Sequence, residues 1–335
     1  MVCGSSKSLR IAVVCQWRVP PETYGGADRA AGWLATDLAR RGHRVTLIAA
    51  PGSRSDLAEV RVLDPKSPAG TQIPEGTDVA HFFFPPEGEV PVPYLVWIQG
   101  NPSAGSPIDR NTVFVSAKHA ERYGSNAFVY NGIDPADYGP VDWARPRTHL
   151  HFLAKASWKV KNLKGAMRVA RLAGRRLVVM GGTRLSFSMG FRLTLDPRIR
   201  FAGMVGGVRK NAILNASRGL VFPVRWHEPF GIAVIESLYF GCPVLATPYG
   251  SLPELVPPDV GMLSTRAADL AEAARAPGRF DPRRCHEWVM DRFTAPRVTD
   301  AFLALYERVL NGEPLNQVTP RLSVEALGRL LPWED

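Results

Sequence analysis

Two runs of alternating strand-like and helix-like segments, separated by one stretch with neither period, restrict this chain more than any other feature. In the first run, Leu9–Cys15, Arg44–Ala49, Val79–Phe84, Tyr94–Ile98, Thr112–Val115 and Phe128–Tyr130 read as strands, with helical stretches after Gly26 and Ser116. In the second, Leu150–Ala154, Arg176–Met180, Arg198–Phe201, Gly219–Val224 and Pro243–Ala246 repeat the theme, with helices after Asn162, Val208, Gly231 and Arg266. Apolar strands joined through helices belong to parallel sheets covered on both faces. The intervening NGIDPADYGPVDWARPR concentrates Gly, Pro and Asp and reads as a linker. A chain of 335 residues exceeds the size at which single cores stop growing, so two domains are expected.

Composition narrows the class. A hydrophobic content of 45% with 21% charged residues describes an ordinary globular protein. No window approaches the roughly twenty apolar residues that span a bilayer, and the run Ile11–Cys15 after Lys7 and Arg10 is too brief for a signal peptide. Cys3, Cys15, Cys242 and Cys285 show neither C-x-x-C spacing nor clustering with histidine, which argues against zinc and disulfides and for a reducing cytoplasm. The net charge of +10 comes from dispersed, mostly arginine residues without any nucleic-acid-binding motif. Such a field suits phosphate-rich small molecules, anionic acceptors and membrane surfaces alike.

The chemistry concentrates in FPVRWHEPFGIAVIESLYFGCPVLAT, residues 222–247. A buried strand ends near Val224, Pro229 and Gly231 break the chain, and Ile232–Phe240 forms a helix that Gly241 stops. Glu228 then lies in the entry loop, and Glu236 lies one turn beyond Ile232 on the same face. Both acids reach a ligand lodged between strand end and helix start, and the N–H groups of Phe230, Gly231 and Ile232 favour a phosphate there. A ligand with hydroxyls and phosphate satisfies all of these groups.

On these residues the chain resembles the retaining GT-B glycosyltransferases of family 4, whose signature is a glutamate pair spaced as Glu228 and Glu236 are. Further motifs follow in that family's order. PPETYGGADRAAGWLATDLARRGHRVTLI resembles the glycine loop, helix and second strand, VYNGIDPADY the interdomain linker, HFLAKASWKVKNLKGA the phosphate-binding strand and loop, and RFAGMV, with Met204, the nucleotide-side turn. PVRWHEPFGIAVIE, GCPVLAT and YGSLPEL complete the set. The resemblance implies an α/β GT-B architecture of two Rossmann-like doubly wound domains facing across a cleft, with boundaries at 1–140, 141–315 and a C-terminal segment 316–335 packing back on the first domain. A helix near Val324–Leu331 would carry that return. It implies a nucleoside diphosphate sugar as donor, a UDP-sugar favoured, and transfer to an acceptor hydroxyl with retention and without metal. No Asp-x-Asp motif is present.

By the same resemblance Glu228 contacts the donor sugar, Glu236 the ribose, and Lys155 and Lys161 the diphosphate, with Lys159 or Lys164 as alternatives for the second cation. Gly25 and Gly26 offer close backbone approach to phosphate, and Gln99 and Asn101 fall on the acceptor side. Two positions depart from the common pattern. Lys155 stands where Arg is usual, and it lacks the bidentate fork. Gln99 stands where many members carry histidine, and an amide is no general base. His81, His119 and His227 are isolated histidines, of which His227 alone neighbours a motif glutamate. By overall likeness and not by a motif, the chain resembles tailoring transferases of oligosaccharide antibiotics of the avilamycin type. A lipid-linked or polysaccharide-precursor transferase is the alternative, as is a noncatalytic nucleotide-sugar binder. Donor binding is expected to close the cleft by a hinge in 131–147.

Overall fold

The computed structural model describes residues 8–22, 25–103, 105–187, 192–276, 278–322 and 330–335. The chain divides into two compact units, Met1–Asn131 with Ala295–Glu325, and Gly132–Thr294 with Ala326–Asp335.

In the first unit the elements are β1 (Arg10–Val14), α1 (Ala27–Arg40), β2 (Arg44–Ala49), β3 (Glu59–Val62), β4 (Val79–Phe82), β5 (Tyr94–Trp97), β6 (Thr112–Val113) and α2 (Ala117–Arg122). In the second they are β7 (His149–Leu153), α3 (Leu163–Leu172), β8 (Leu177–Met180), the short pair β9 (Leu185–Ser186) and β10 (Arg192–Leu193), β11 (Ile199–Gly203), α4 (Gly207–Asn215), β12 (Ser217–Phe222), α5 (Ile232–Tyr239), β13 (Val244–Ala246), α6 (Leu252–Leu255), β14 (Gly261–Leu263), α7 (Ala267–Arg275) and α8 (Pro282–Arg292). A last helix, α9 (Ala295–Leu310), belongs to the first unit.

Each unit is built on one parallel six-stranded sheet, ordered β3-β2-β1-β4-β5-β6 and β11-β8-β7-β12-β13-β14. Renumbered within its own unit, the second order is also 3-2-1-4-5-6, the doubly wound arrangement whose ligand crevice opens beyond the strand ends where the order reverses. That point falls between β1 and β4 in one sheet and between β7 and β12 in the other. The central strands are buried along their length, as in HLHFL of β7 and LVVM of β8, because helices cover them. In the second unit α3 packs with α7 and α5 with α8.

Several sequence expectations are corrected. Phe128–Tyr130 is not a strand: only Phe128 pairs, in an isolated bridge to Phe114, and its side chain is exposed. The stretch 131–147 is no free linker, since Ile133 N–H donates to Phe293 O at 2.9 Å, Tyr239 Oη to Gly139 O at 2.8 Å, and Ile133 and Tyr138 are buried in the second unit. Its apolar residues bury because that unit's surface accepts them. Residues 295–315, placed by sequence with the second domain, include α9, whose Val298, Phe302, Tyr306 and Val309 form one buried stripe against α1 and β5 of the first unit. The proposed helix near Val324–Leu331 falls largely on residues 323–329, outside those described. The final six residues lie on the second unit, where Leu331 N–H donates to Arg225 O and Glu334 N–H to Thr265 O, both at 2.9 Å.

Candidate active site

The second unit gathers most of the expected residues at the β7/β12 switch point. The loop after β7 carries Lys155, Trp158 and Lys161 before Asn162 begins α3; the loop after β12 carries Trp226, Glu228, Phe230 and Gly231 before α5. Cross-links fix the two loops together. Arg225 N–H donates to Val160 O at 2.7 Å and Asn162 Nδ2 to Pro223 O at 3.0 Å, while Thr247 Oγ1, just beyond β13, donates to Val224 O at 2.6 Å and holds the second loop from its other side. The YGSLPEL turn supports the acid from below, with Ser251 N–H donating to Glu228 O at 3.0 Å and Ser251 Oγ to Phe230 O at 2.6 Å.

Glu228 is only 6% exposed. Its Oε2 accepts from Lys161 Nζ and from Trp226 Nε1, each at 2.6 Å. Lys161, 9% exposed, also lies 4.7 Å from the Trp226 ring centroid and 5.2 Å from that of Phe222. Burying a carboxylate requires such partners, and two donors on one oxygen hold it in a fixed direction. Lys155 is exposed, with its ammonium 5.5 Å from the Trp158 ring centroid. Lys159 and Lys164 are exposed too.

Gly231 caps α5 with φ at 96°, a left-handed conformation that favours glycine, and no side chain caps the helix. The first-turn N–H groups of α5 therefore keep their positive end toward the crevice. Glu236 follows on the second turn, 4% exposed, but it does not share a partner with Glu228. Its Oε1 accepts from Tyr138 Oη at 2.7 Å and from Lys210, whose ammonium sits 5.0 Å from the Tyr138 ring centroid. Lys210 is 1% exposed. Sequence reasoning missed both Tyr138 and Lys210. The available signal was the spacing of Lys210, Ile213 and Leu214, which puts a lysine on the apolar face of α4.

The remaining expected residues are placed as follows. Met204 is exposed in the turn after β11, and His227 is half-buried with its ring 6.5 Å from that of Tyr249. In the first unit, Gly25 and Gly26 precede α1, where the Asp28 carboxylate leans over Gly25, and burial raises the Asp28 pKa. Gln99 and Asn101 follow β5; Gln99 Oε1 accepts from Asn131 Nδ2 at 2.9 Å, leaving Gln99 Nε2 and Asn131 Oδ1 buried without hydrogen bonds among the described residues. His81 and His119 are core residues whose pKa values burial pushes down to about 3. Among the described residues no three His, Cys, Asp or Glu side chains are grouped to hold a metal, and no helix is long and apolar enough to cross a membrane.

Comparison with known proteins bears on this arrangement. The family profile described as "Glycosyl transferases group 1" matches residues 145–276, which include both loops and α5. No curated protein matches the sequence. Among solved structures the chain is similar to AviGT4, described as a glycosyltransferase involved in avilamycin A biosynthesis, with a TM-score of 0.74 and 22% identity over 91% of this chain and 98% of that one. A sucrose-phosphate synthase from Thermosynechococcus elongatus aligns at a TM-score of 0.68 and 18% identity, over 91% of this chain and 100% of its own. HepE of Anabaena, solved with UDP-glucose, aligns at 0.64 and 15%, over 89% and 100%. The fold is GT-B.

Proposed function

We propose that this chain is a metal-independent, retaining glycosyltransferase that moves a sugar from a nucleoside diphosphate sugar, with UDP favoured, to an acceptor hydroxyl. The observation that carries the reading is the buried Glu228–Lys161–Trp226 cluster beside the uncapped start of α5, within the segment that matches the glycosyltransferase profile. Departure of the nucleoside diphosphate builds negative charge on its phosphates. Lys155 and the positive end of α5 meet that charge, while Lys161 divides its own between the diphosphate and Glu228. The fixed Glu228 carboxylate accepts hydroxyls of the donor sugar, and Glu236, oriented by Tyr138 and Lys210, accepts those of the ribose. The acceptor hydroxyl attacks on the face that the diphosphate leaves, and a phosphate oxygen takes its proton. This suits an acceptor side bearing Gln99 and Asn101 rather than an imidazole.

The similarity to AviGT4 supports an oligosaccharide of the antibiotic type as acceptor, with a lipid-linked or polysaccharide precursor as the second choice. The test is incubation with radiolabelled UDP-sugars and an acceptor pool in EDTA, followed by determination of the anomeric configuration of the product. Labelled product with the donor's configuration is expected. Donor binding without transfer or hydrolysis would identify a noncatalytic binder, and activity restored only by magnesium or manganese would overturn the metal-free site.

A further inference from the structure

At the opposite ends of the strands from these loops, the second unit carries a cavity of about 790 Å³. Arg145, Arg176, Arg184, Arg198, Arg200 and Arg209 line it, and among the described residues no aspartate or glutamate does. Chain order explains the convergence. Arg176 immediately precedes β8, Arg198 immediately precedes β11, Arg200 lies within β11, Arg209 lies on the first turn of α4, and Arg145 approaches β7. The loops that bear Lys155, Lys161 and Glu228 leave from the other ends of β7 and β12, so the two sites do not share a lining residue.

Five of the six guanidinium groups are not consumed by the fold. Arg184 donates to the carbonyls of Thr194 and Ile199, at 3.0 and 2.7 Å, and so braces one wall. The other five have no ion pair among the described residues. Asp196, beside lining residue Pro197, is already engaged by Arg171 Nε at 2.7 Å and by Arg198 N–H at 2.9 Å. Behind the arginines lies His149, 8% exposed, which lines the cavity through the first position of β7. Its Nδ1 pairs with Thr148 Oγ1 at 3.0 Å, and the Ile213 backbone offers the ring a second partner.

We propose that this cavity is a binding site for a small soluble anion carrying two or more phosphate groups, distinct from the donor site. Several planar guanidinium forks around one concavity match clustered phosphate oxygens, and a bound polyanion removes their mutual repulsion. A concave site rather than a flat basic face favours a small ligand over a surface. Because β7 runs from His149 to the loop of Lys155 and Lys161, an anion bound here lies one strand's length from the donor loop.

The probe is inorganic tripolyphosphate. Calorimetry with the full chain, its donor site saturated with UDP, should show one saturable site that weakens as salt rises, together with a higher melting temperature. Arg176→Gln with Arg209→Gln should weaken that binding by about tenfold or more, as expected for losing two charge-assisted contacts. Both residues are exposed, so the variant should melt no lower than the parent without ligand. Absence of saturable binding by the unaltered chain would overturn the proposal, and so would binding that survives the double substitution but disappears in Lys155→Ala. The neighbouring pair β9–β10 exposes Leu185 and Leu193, so a second arm measures sedimentation with phosphatidylglycerol vesicles. Vesicle association that needs Arg176 and Arg209, without tripolyphosphate binding, would assign the arginines to lipid headgroups and refute a soluble ligand.

Discussion

At the scale of single residues, the two motif glutamates are each neutralised by a different lysine, and this sets what their replacement costs. Glu228→Gln keeps the shape and one acceptor oxygen but loses the charge that, in the function proposed above, fixes sugar hydroxyls. Transfer should fall by at least tenfold in kcat, about 1.4 kcal/mol or more, with UDP affinity largely retained; a variant with more than about a tenth of the parent kcat removes Glu228 from the chemistry. Glu236→Ala should instead weaken free UDP by about 1.5–3 kcal/mol, and an unchanged calorimetric affinity would take it out of the donor site. Lys210→Met strands the Glu236 carboxylate beside Tyr138 in the interior. Urea unfolding should show a loss of about 3–5 kcal/mol, most of it recovered when Glu236→Met is added, because the penalty is for an unpaired buried charge. The glutamate spacing and the crowded lysines were legible in the sequence. The lysine that pairs Glu236 was not, since it comes from α4, 26 residues earlier, and only the folded sheet brings the two together.

At the scale of elements, the turns between strand and helix are where local sequence decides the site. Gly181 has φ at 119°, and a Cβ there would collide with the Ala154 carbonyl oxygen, so the end of β8 holds the start of the Lys155 loop by close backbone approach. Asn162 is the one non-glycine residue with positive φ among the described residues, and it caps α3 by accepting from Gly165 N–H at 3.0 Å. Asn162→Ala forfeits the cap, the bond to Pro223 O and an easily reached left-handed conformation. It should cost about 1–3 kcal/mol, and Asn162→Gly less, because glycine restores the backbone freedom; equal urea midpoints for the two variants would contradict this account. Strand and helix periods predicted the central elements of both sheets, where burial on both faces leaves an apolar run. They failed at Phe128–Tyr130, which has β-type residues but an exposed Phe128, and at 131–147, where turn-forming composition concealed the buried Ile133 and Tyr138. Propensity describes what a segment can do locally, whereas burial depends on what it meets.

At the scale of the whole molecule, histidines set the acid limit. His81 and His119 in the first unit and His151 in the second are buried and held neutral, His151 between Ser217 Oγ at 2.6 Å and Ser237 Oγ at 2.8 Å, with its pKa driven well below the usual value by burial. In the unfolded chain each takes up a proton below about pH 6.5, so the unfolded state binds more protons there and stability falls as pH drops through that value toward about 3. Summed over three residues and both units, the loss between pH 7.5 and 5.5 should be about 4 kcal/mol, read from denaturant unfolding followed in each unit. Equal stability at the two pH values would mean that these rings are charged or solvated.

The order in which the chain visits its two units has a consequence for anyone who would separate them. It leaves the first after Asn131, returns at Ala295, and crosses again to finish on the second. Neither unit is a continuous piece of sequence: one is sealed by α9, and the other is strapped by a tail whose Leu331 carbonyl accepts from Arg225 Nε at 2.7 Å, directly before the Trp226–Glu228 loop. A single cut after residue 131 would therefore strip the first unit of α9, and a cut after residue 294 would deprive the second of its strap as well. Isolating the second unit with its strap calls for a spliced or permuted chain, joining residue 294 to the tail by a new connection.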